Sequence, residues 1–268
     1  MVASLSGPPQ LRSSFAVAAG YHTYCKQRSQ RRLAKETRLA VSIWLRPERT
    51  GRGPSPAFDR GRIAAAGVAL ADADGLAAVT MRAVADSLGA APASLYRYVA
   101  TRDELLELMV DQVNGEVSYD GLGAGDWLED LLALAREARE RYRAHPWLLD
   151  GIEAKIPLGP RATDFLEHAL AACAAASVEP ETAIEAVAVM LALVGALTRA
   201  ELGRRAIGLT DSERRQAKSE YAAQIVKAGD HPHVAAALAS RATGKATDPD
   251  AQFDRVVTRV LIGLLGGR

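Results

Sequence analysis

Cysteine is nearly missing: Cys25 and Cys173 are the two in 268 residues. Two such distant thiols fit neither a disulfide framework nor a metal cluster, and they suit a reducing, cytoplasmic interior. Aromatic residues are scarce, at 5%. Val, Ile and Thr do not fall into alternating runs between turn signals, so nothing reads as a sheet. There is no glycine-rich phosphate loop, no HExxH pair and no nucleophile elbow. His231-Pro232-His233 beside Asp230 reads as a polar loop, and no metal or cofactor is expected. An enzyme would need a convergent polar constellation that the sequence does not contain. The most apolar run, Ala186 to Leu197, is bounded by Glu185 and Arg199 and is too short to cross a bilayer. The apolar stretch in residues 14–20, SFAVAAG, is too brief for a signal peptide. The expectation is a soluble cytoplasmic protein with no membrane partner.

What the chain does have is apolar residues at 49% and a great deal of alanine, which favours closely packed helices. Its net charge of +1 is unevenly spread: residues 1–60 hold 11 basic and 3 acidic side chains, about +8, leaving about −7 on the rest. Residues 1–56, with KQRSQRRLAKETR and then RPERTGRGPSPAF, read as a basic, disordered extension ending in a flexible linker.

From Phe58 onward the signals are helical. Ile63, Ala66 or Gly67, and Leu70 recur at helix spacing over 58–72, ending near DADG. A second helix spans about Met81–Leu88, with Thr80 as N-cap and Gly89 in the place of a left-handed C′ residue. Three residues later Pro92 opens a short third helix to Val99, where proline's missing N–H costs nothing. TRDE then reads as a capping box, with Thr101 as N-cap and Glu104 three residues on, starting a longer helix toward Gly115. Helix, glycine turn, short helix is the helix-turn-helix pattern. At 3.6 residues per turn, Leu95 and Val99 point inward while Ala93 and Arg97 face away. That outer face carries small, aromatic and cationic groups and no acid, which suits contact with a polyanion.

The segment GLAAVTMRAVADSLGAAPASLYRYVATRDELLELMVD resembles the N-terminal domain of the TetR/AcrR transcriptional regulators. The match is carried by Gly75-Leu76, Thr80-Met81-Arg82, Val84-Ala85, Leu88-Gly89, Ser94-Leu95-Tyr96-Arg97-Tyr98 and Asp103–Leu106. More loosely, RAHPWL and LGPRATDFLEHAL resemble the tetracycline-repressor type of C-terminal domain. The resemblance implies an all-α fold with a helix-turn-helix domain over residues 57–105 and a ligand-binding and dimerisation bundle over 106–268. It implies a dimeric, sequence-specific repressor that a small-molecule effector releases from double-stranded operator DNA. The alternative is a constitutive DNA-binding or architectural module without an effector. By the same resemblance, Thr80 and Arg82 match positions at phosphate or the groove edge. Pro92, Ala93, Ser94, Tyr96, Arg97 and Tyr98 match the recognition helix, and Arg102 a phosphate grip.

In the rest of the chain, residues 126–145 form an amphipathic helix with Leu131, Leu132, Leu134 and Ala135 opposed to Glu129, Arg136 and Arg139. Thr182–Leu202 is apolar nearly all round, and the last helix carries a stripe of Phe253, Val256, Val257, Val260, Leu261 and Leu264. These two helices, with Val187, Leu191 and Val194 on the first, are the expected four-helix dimer interface. A charged helix over Asp211–Ala228 lies between them and is expected to be exposed. An apolar pocket with a few polar groups is expected among Trp127, Tyr142, His145, Trp147, Phe165, His168, Met190 and Val194.

Overall fold

The computed structural model describes residues 43–46, 59–123, 126–150, 159–206, 211–243 and 248–266. The chain divides into two compact units, Met1–Arg52 and Gly53–Arg268. Of the first, only a single 3-10 turn at Ile43–Leu45 and the following Arg46 are described. The expected basic extension over 1–56 otherwise lies outside the described residues. The second unit is all-α: among its described residues are ten α-helices, two 3-10 turns and no strand.

The first three helices form a small head. Helix α1 (Arg60–Asp74) starts at Asp59, whose carboxylate accepts the Arg62 N–H at 2.6 Å. It buries Ile63, Ala64, Gly67, Val68 and Ala71, while Leu70 stays half-exposed. A 3-10 turn at Leu76–Ala78 leads to α2 (Met81–Ser87), and α3 (Pro92–Leu95) follows. Helix α3 is shorter than the expected 92–99. After Leu95 the chain tightens: the Leu95 carbonyl accepts N–H groups from both Tyr98 (2.9 Å) and Val99 (3.0 Å). The backbone must then be extended by Thr101 (φ −139, ψ 165) to cap the next helix, which leaves no room for a longer one.

Helix α4 (Arg102–Asn114) buries nine of its 13 residues. It packs on α1 from one side and on α6 from the other. Contact with α1 is close because of Gly67, where an added Cβ would lie 2.6 Å from the Met109 Sδ. The body follows: α5 (Trp127–Ala144), a 3-10 turn at Pro146–Asp150, α6 (Pro160–Ala175), α7 (Pro180–Ala206), α8 (Asp211–Ala228), α9 (Pro232–Thr243) and α10 (Pro249–Leu265). Helices α5, α7 and α10 pack on one another, with α6 against α5 and α7. Helix α8 packs on α9 and is largely exposed along its described side chains, as its charge predicts.

Helix α7 is longer than its apolar run suggests. Pro180–Gly203 is, by length and composition alone, apolar enough to cross a membrane. Its inner face (Ala183, Ala186, Val187, Met190, Val194) is core, and its outer face is rich in alanine. The expected dimer stripe needs correction. Val187, Val194, Phe253, Val257 and Leu261 are at most 4% exposed and fill the protomer's own core. Burying each such side chain is worth about 1.5–3 kcal/mol, so the largest apolar groups face inward. Val256, Val260 and Leu191 are half-exposed, and Leu264 is exposed.

Arg139 also departs from expectation, being buried rather than on a polar face. Its guanidinium donates to Glu201 of α7 (3.1 and 3.3 Å) and to Asp250 of α10 (2.8 Å), and lies 4.5 Å over the Phe253 ring. Arg143 donates to the other Glu201 oxygen at 2.8 Å. Burial alone would raise the Glu201 pKa, but the hydrogen bonds and charges of Arg143 and Arg139 bring it below the ordinary carboxylate value. This network ties α5, α7 and α10 together.

Candidate functional site

The helix-turn-helix is built by local rules. The Thr80 hydroxyl accepts the Ala83 N–H at 3.0 Å and starts α2. The helix ends in a Schellman motif: Ala90 N–H donates to the Ala85 carbonyl (2.9 Å) and Gly89 N–H to that of Asp86 (3.1 Å). Gly89 has φ 64, a left-handed conformation that glycine adopts without a Cβ penalty. Val84, Ala85, Leu95 and Val99 are fully buried and fix α3 against α2.

With Leu95 and Val99 inside, Pro92, Ala93, Tyr96 and Arg97 are exposed, Tyr96 at 53%. Ser94 and Tyr98 are half-buried. The Ser94 hydroxyl donates to the Ala91 carbonyl at 2.6 Å, inside its own turn. Thr80 and Arg82 lie exposed at the start of α2, and Arg82 stands 3.8 Å from Asp86 in solvent, a contact worth little. Thr80, Arg82, Pro92, Ala93, Tyr96 and Arg97 are thus exposed on α2 and α3, with Ser94 and Tyr98 half-buried among them. Their chemistry is cation, hydroxyl, phenol and methyl, which matches phosphate oxygens, base edges and thymine methyls.

Arg102 is held differently from the phosphate grip expected of it. Its Nε donates to the Val79 carbonyl and its Nη2 to the Leu76 carbonyl, both at 2.8 Å. The guanidinium brackets the start of α4 to the turn before α2, and only its remaining donors are left for a phosphate. Beside it, the Thr101 hydroxyl accepts the Glu104 N–H (3.1 Å), and Glu104 reaches back to the Ala100 N–H (2.7 Å). This is the expected capping box, displaced by one residue on the return bond.

The proposed pocket residues separate into groups. Tyr142, Trp147, Phe165, Met190 and Val194 are buried, Trp127 is half-buried at the start of α5, and His168 is half-buried on α6. The His168 ring meets Tyr119 edge-on, centroids 4.1 Å apart. Burial pushes the Tyr119 phenol pKa up, with Asp164 adding to the shift. Tyr119 was not among the sequence candidates; its partner is far along the chain. Nearby, buried Asp111 accepts the Arg161 N–H at 2.9 Å, and buried Arg141 hydrogen-bonds Asn114. His145 is held by two carboxylates: its Nδ1 lies 2.8 Å from Asp72 and its Nε2 2.9 Å from Glu116. The Trp147 indole N–H donates to the same Asp72 oxygen at 2.7 Å. These two residues join the body to α1. Among the described residues no cluster of metal-ligating side chains occurs.

A family model described as bacterial regulatory proteins, tetR family, matches residues 63–109. A second, the tetracyclin repressor-like C-terminal domain, matches residues 121–266. The chain belongs to the TetR family. It is a DNA-binding transcriptional regulator and not an enzyme. It is 36% identical over 228 residues to the HTH-type transcriptional repressor DrrR1 of Streptomyces coeruleorubidus, covering 83% of each chain. An HTH-type transcriptional regulator of Saccharopolyspora erythraea is 30% identical over 224 residues, covering 83% of this chain and 91% of that one. Among solved structures, the Streptomyces coelicolor TetR-family protein ActR in complex with actinorhodin has a TM-score of 0.64 at 27% identity. That likeness covers 80% of this chain and 98% of ActR.

The bracket is testable in this TetR-family chain. Arg102→Ala removes two charge-assisted hydrogen bonds and is expected to cost about 2 kcal/mol of unfolding free energy. Urea unfolding at fixed protein concentration measures it, and an unchanged midpoint contradicts the bracket.

Proposed function

We propose that this TetR-family regulator is a homodimeric repressor that a small molecule releases from its operator. The observation that carries the reading is the geometry of the helix-turn-helix: Leu95 and Val99 are locked inside while Arg97 and Tyr96 stand out on the surface of α3. In this reading residues 57–105 are the DNA-binding domain and 106–268 the effector and dimer domain. Arg97 and Tyr96 enter the major groove with the Ala93 methyl, and Pro92 sets the start of the helix. Thr80, Arg82, Tyr98 and the remaining donors of Arg102 approach phosphates. Ser94, tied to Ala91, contributes through its oxygen.

The head is weakly charged. Residues 61–103 contain four arginines and four aspartates, so one head makes few phosphate contacts and two are needed. The surface supports such pairing. Ile184, Ala188, Val189, Ala192 and Ala196 are exposed along α7, and Ile262 and Leu264 along the adjacent α10. Small side chains let helices approach closely, and an exposed apolar stripe of this kind favours a second copy over water. The dimer face is therefore the outer stripe, not the inner one. Repression is supported by the likeness to DrrR1, and a small-molecule effector by the ActR complex with actinorhodin. The effector site falls among Tyr142, Trp147, Phe165, His168, Met190 and Val194, with Trp127 toward one end. Binding shifts the equilibrium between head spacings only as far as the effector's affinities for the two states differ.

A duplex selected by the wild-type protein from random sequences supplies the operator. Arg97→Ala is expected to lose about 1–3 kcal/mol of preference for that duplex over a scrambled one, read by fluorescence anisotropy. Equal losses on both duplexes contradict base reading. Ala192→Glu places a charge on the proposed dimer face. It is expected to give a folded monomer in gel filtration and to lower operator affinity about 100-fold or more, as paired heads become single ones. A dimer of unchanged affinity contradicts the interface.

A further inference from the structure

Three parts of the molecule meet at one imidazole. Asp72 stands in the last turn of α1 in the head. Glu116 follows Gly115, the C-cap of α4. His145 is the C-cap of α5 in the body, with its backbone N–H on the Arg141 carbonyl at 2.9 Å. The His145 side chain is 9% exposed and sits between the two carboxylates at 2.8 and 2.9 Å. Trp147, 3% exposed, adds its indole N–H to Asp72. The 3-10 turn carrying Trp147 packs directly on α1. The head thus touches the body at a polar joint as well as through α4.

We propose that His145 is a positioning residue for DNA binding: by bridging Asp72 and Glu116 it fixes the angle at which each head leaves the body, and so the spacing of the two heads on the operator. This rests on the dimeric reading above. Loss of the bridge leaves each head folded, because Leu95, Val99 and the caps of α2 and α4 do not involve it. What is lost is the registration of one head against the other. Binding to a single half-site needs one head only, whereas binding to two half-sites one helical turn apart needs both at the right spacing.

The joint also senses protons. A neutral imidazole has one N–H and sets a lone pair against the other carboxylate, whereas an imidazolium donates to both. The charged groups facing the ring are Asp72 from α1 and Glu116 from the segment after α4; one turn back on α5, the Arg141 guanidinium bonds Asn114. Burial favours the neutral ring, but hydrogen bonds to Asp72 and Glu116 and their charges outweigh it, so the folded pKa lies above 6.5. A raised folded value means the bridge is complete below the unfolded value and is lost as pH rises through the folded one.

The test compares the selected operator with the same duplex carrying one scrambled half-site. The readout is the ratio of the two affinities. Wild type is expected to show a ratio that falls as pH rises past the ordinary histidine value of 6.5, because the folded pKa lies above it. His145→Ala is expected to lower the ratio about tenfold at the acidic end, within the usual range of coupling between sites, with half-site affinity unchanged and little pH dependence left. Glu116→Gln, at a half-exposed position, keeps the fold and is expected to show a smaller loss in the same direction. The proposal is overturned if His145→Ala keeps the wild-type ratio and pH profile. It is equally overturned if that variant loses affinity for both duplexes alike while Glu116→Gln keeps the wild-type ratio. A wild-type protein with no preference for two half-sites overturns the dimeric reading itself, and is distinguished by appearing before any substitution is made.

Discussion

The burial of α4 from two sides is the constraint on which the rest of the structure depends. Its apolar residues Leu105, Met109 and Val113 are fully enclosed, and Gly67 lets α1 come close enough to seal them. Its polar residues Glu104, Asp111 and Asn114 are also buried, at a cost unless each finds a hydrogen-bond partner. Glu104 finds one in its own cap, at Ala100. Asp111 and Asn114 find theirs in the body, on Arg161 and Arg141. The helix is therefore bound chemically to both neighbours. A packed interior resists gradual deformation, so α4 joins head and body as a stiff element.

The ends of α4 are secured in different ways, and this sets what can move. At its N-terminus Arg102 ties it to the Leu76–Val79 backbone, making α4 part of the head. Near its C-terminus Arg161 and Arg141 make it part of the body. The His145 joint adds a second link from α1 to the body. Within the body, Arg139 and Arg143 of α5 share the Glu201 carboxylate of α7, and Arg139 also donates to Asp250 of α10, which ties the three helices together.

The parts written in local chemistry were legible in the sequence. Thr80, Gly89, Pro92 and Thr101 act within a few residues of themselves, and each stands in the role that its type and spacing imply. What was hidden depends on distant partners. Arg139 looked like a surface charge because Glu201 and Asp250 lie 62 and 111 residues away. His145 looked like a pocket residue because Asp72 lies 73 residues earlier. The stripe on α10 is split for another reason: Phe253, Val257 and Leu261 are buried, while Val256 and Val260 are half-exposed and Leu264 is exposed. Periodicity reports the face with the largest apolar groups, and in α10 the centre of that face closes the protomer. The alanines on the outer face of α7 give no comparable signal, although small residues are what a close helix pairing needs. The recognition helix ended early because a cap must begin from extended backbone, a requirement of Thr101 rather than of α3.

The central claim is that these ties hold two recognition helices at one fixed spacing. Pulsed electron-spin distance measurement tests it directly, with a spin label on the exposed Ala93 position in a variant lacking Cys25 and with operator DNA bound. The account predicts one narrow distance distribution centred near the one-turn separation of successive major grooves, roughly 34 Å. Absence of any dipolar signal, or a broad distribution without a preferred distance, would contradict it.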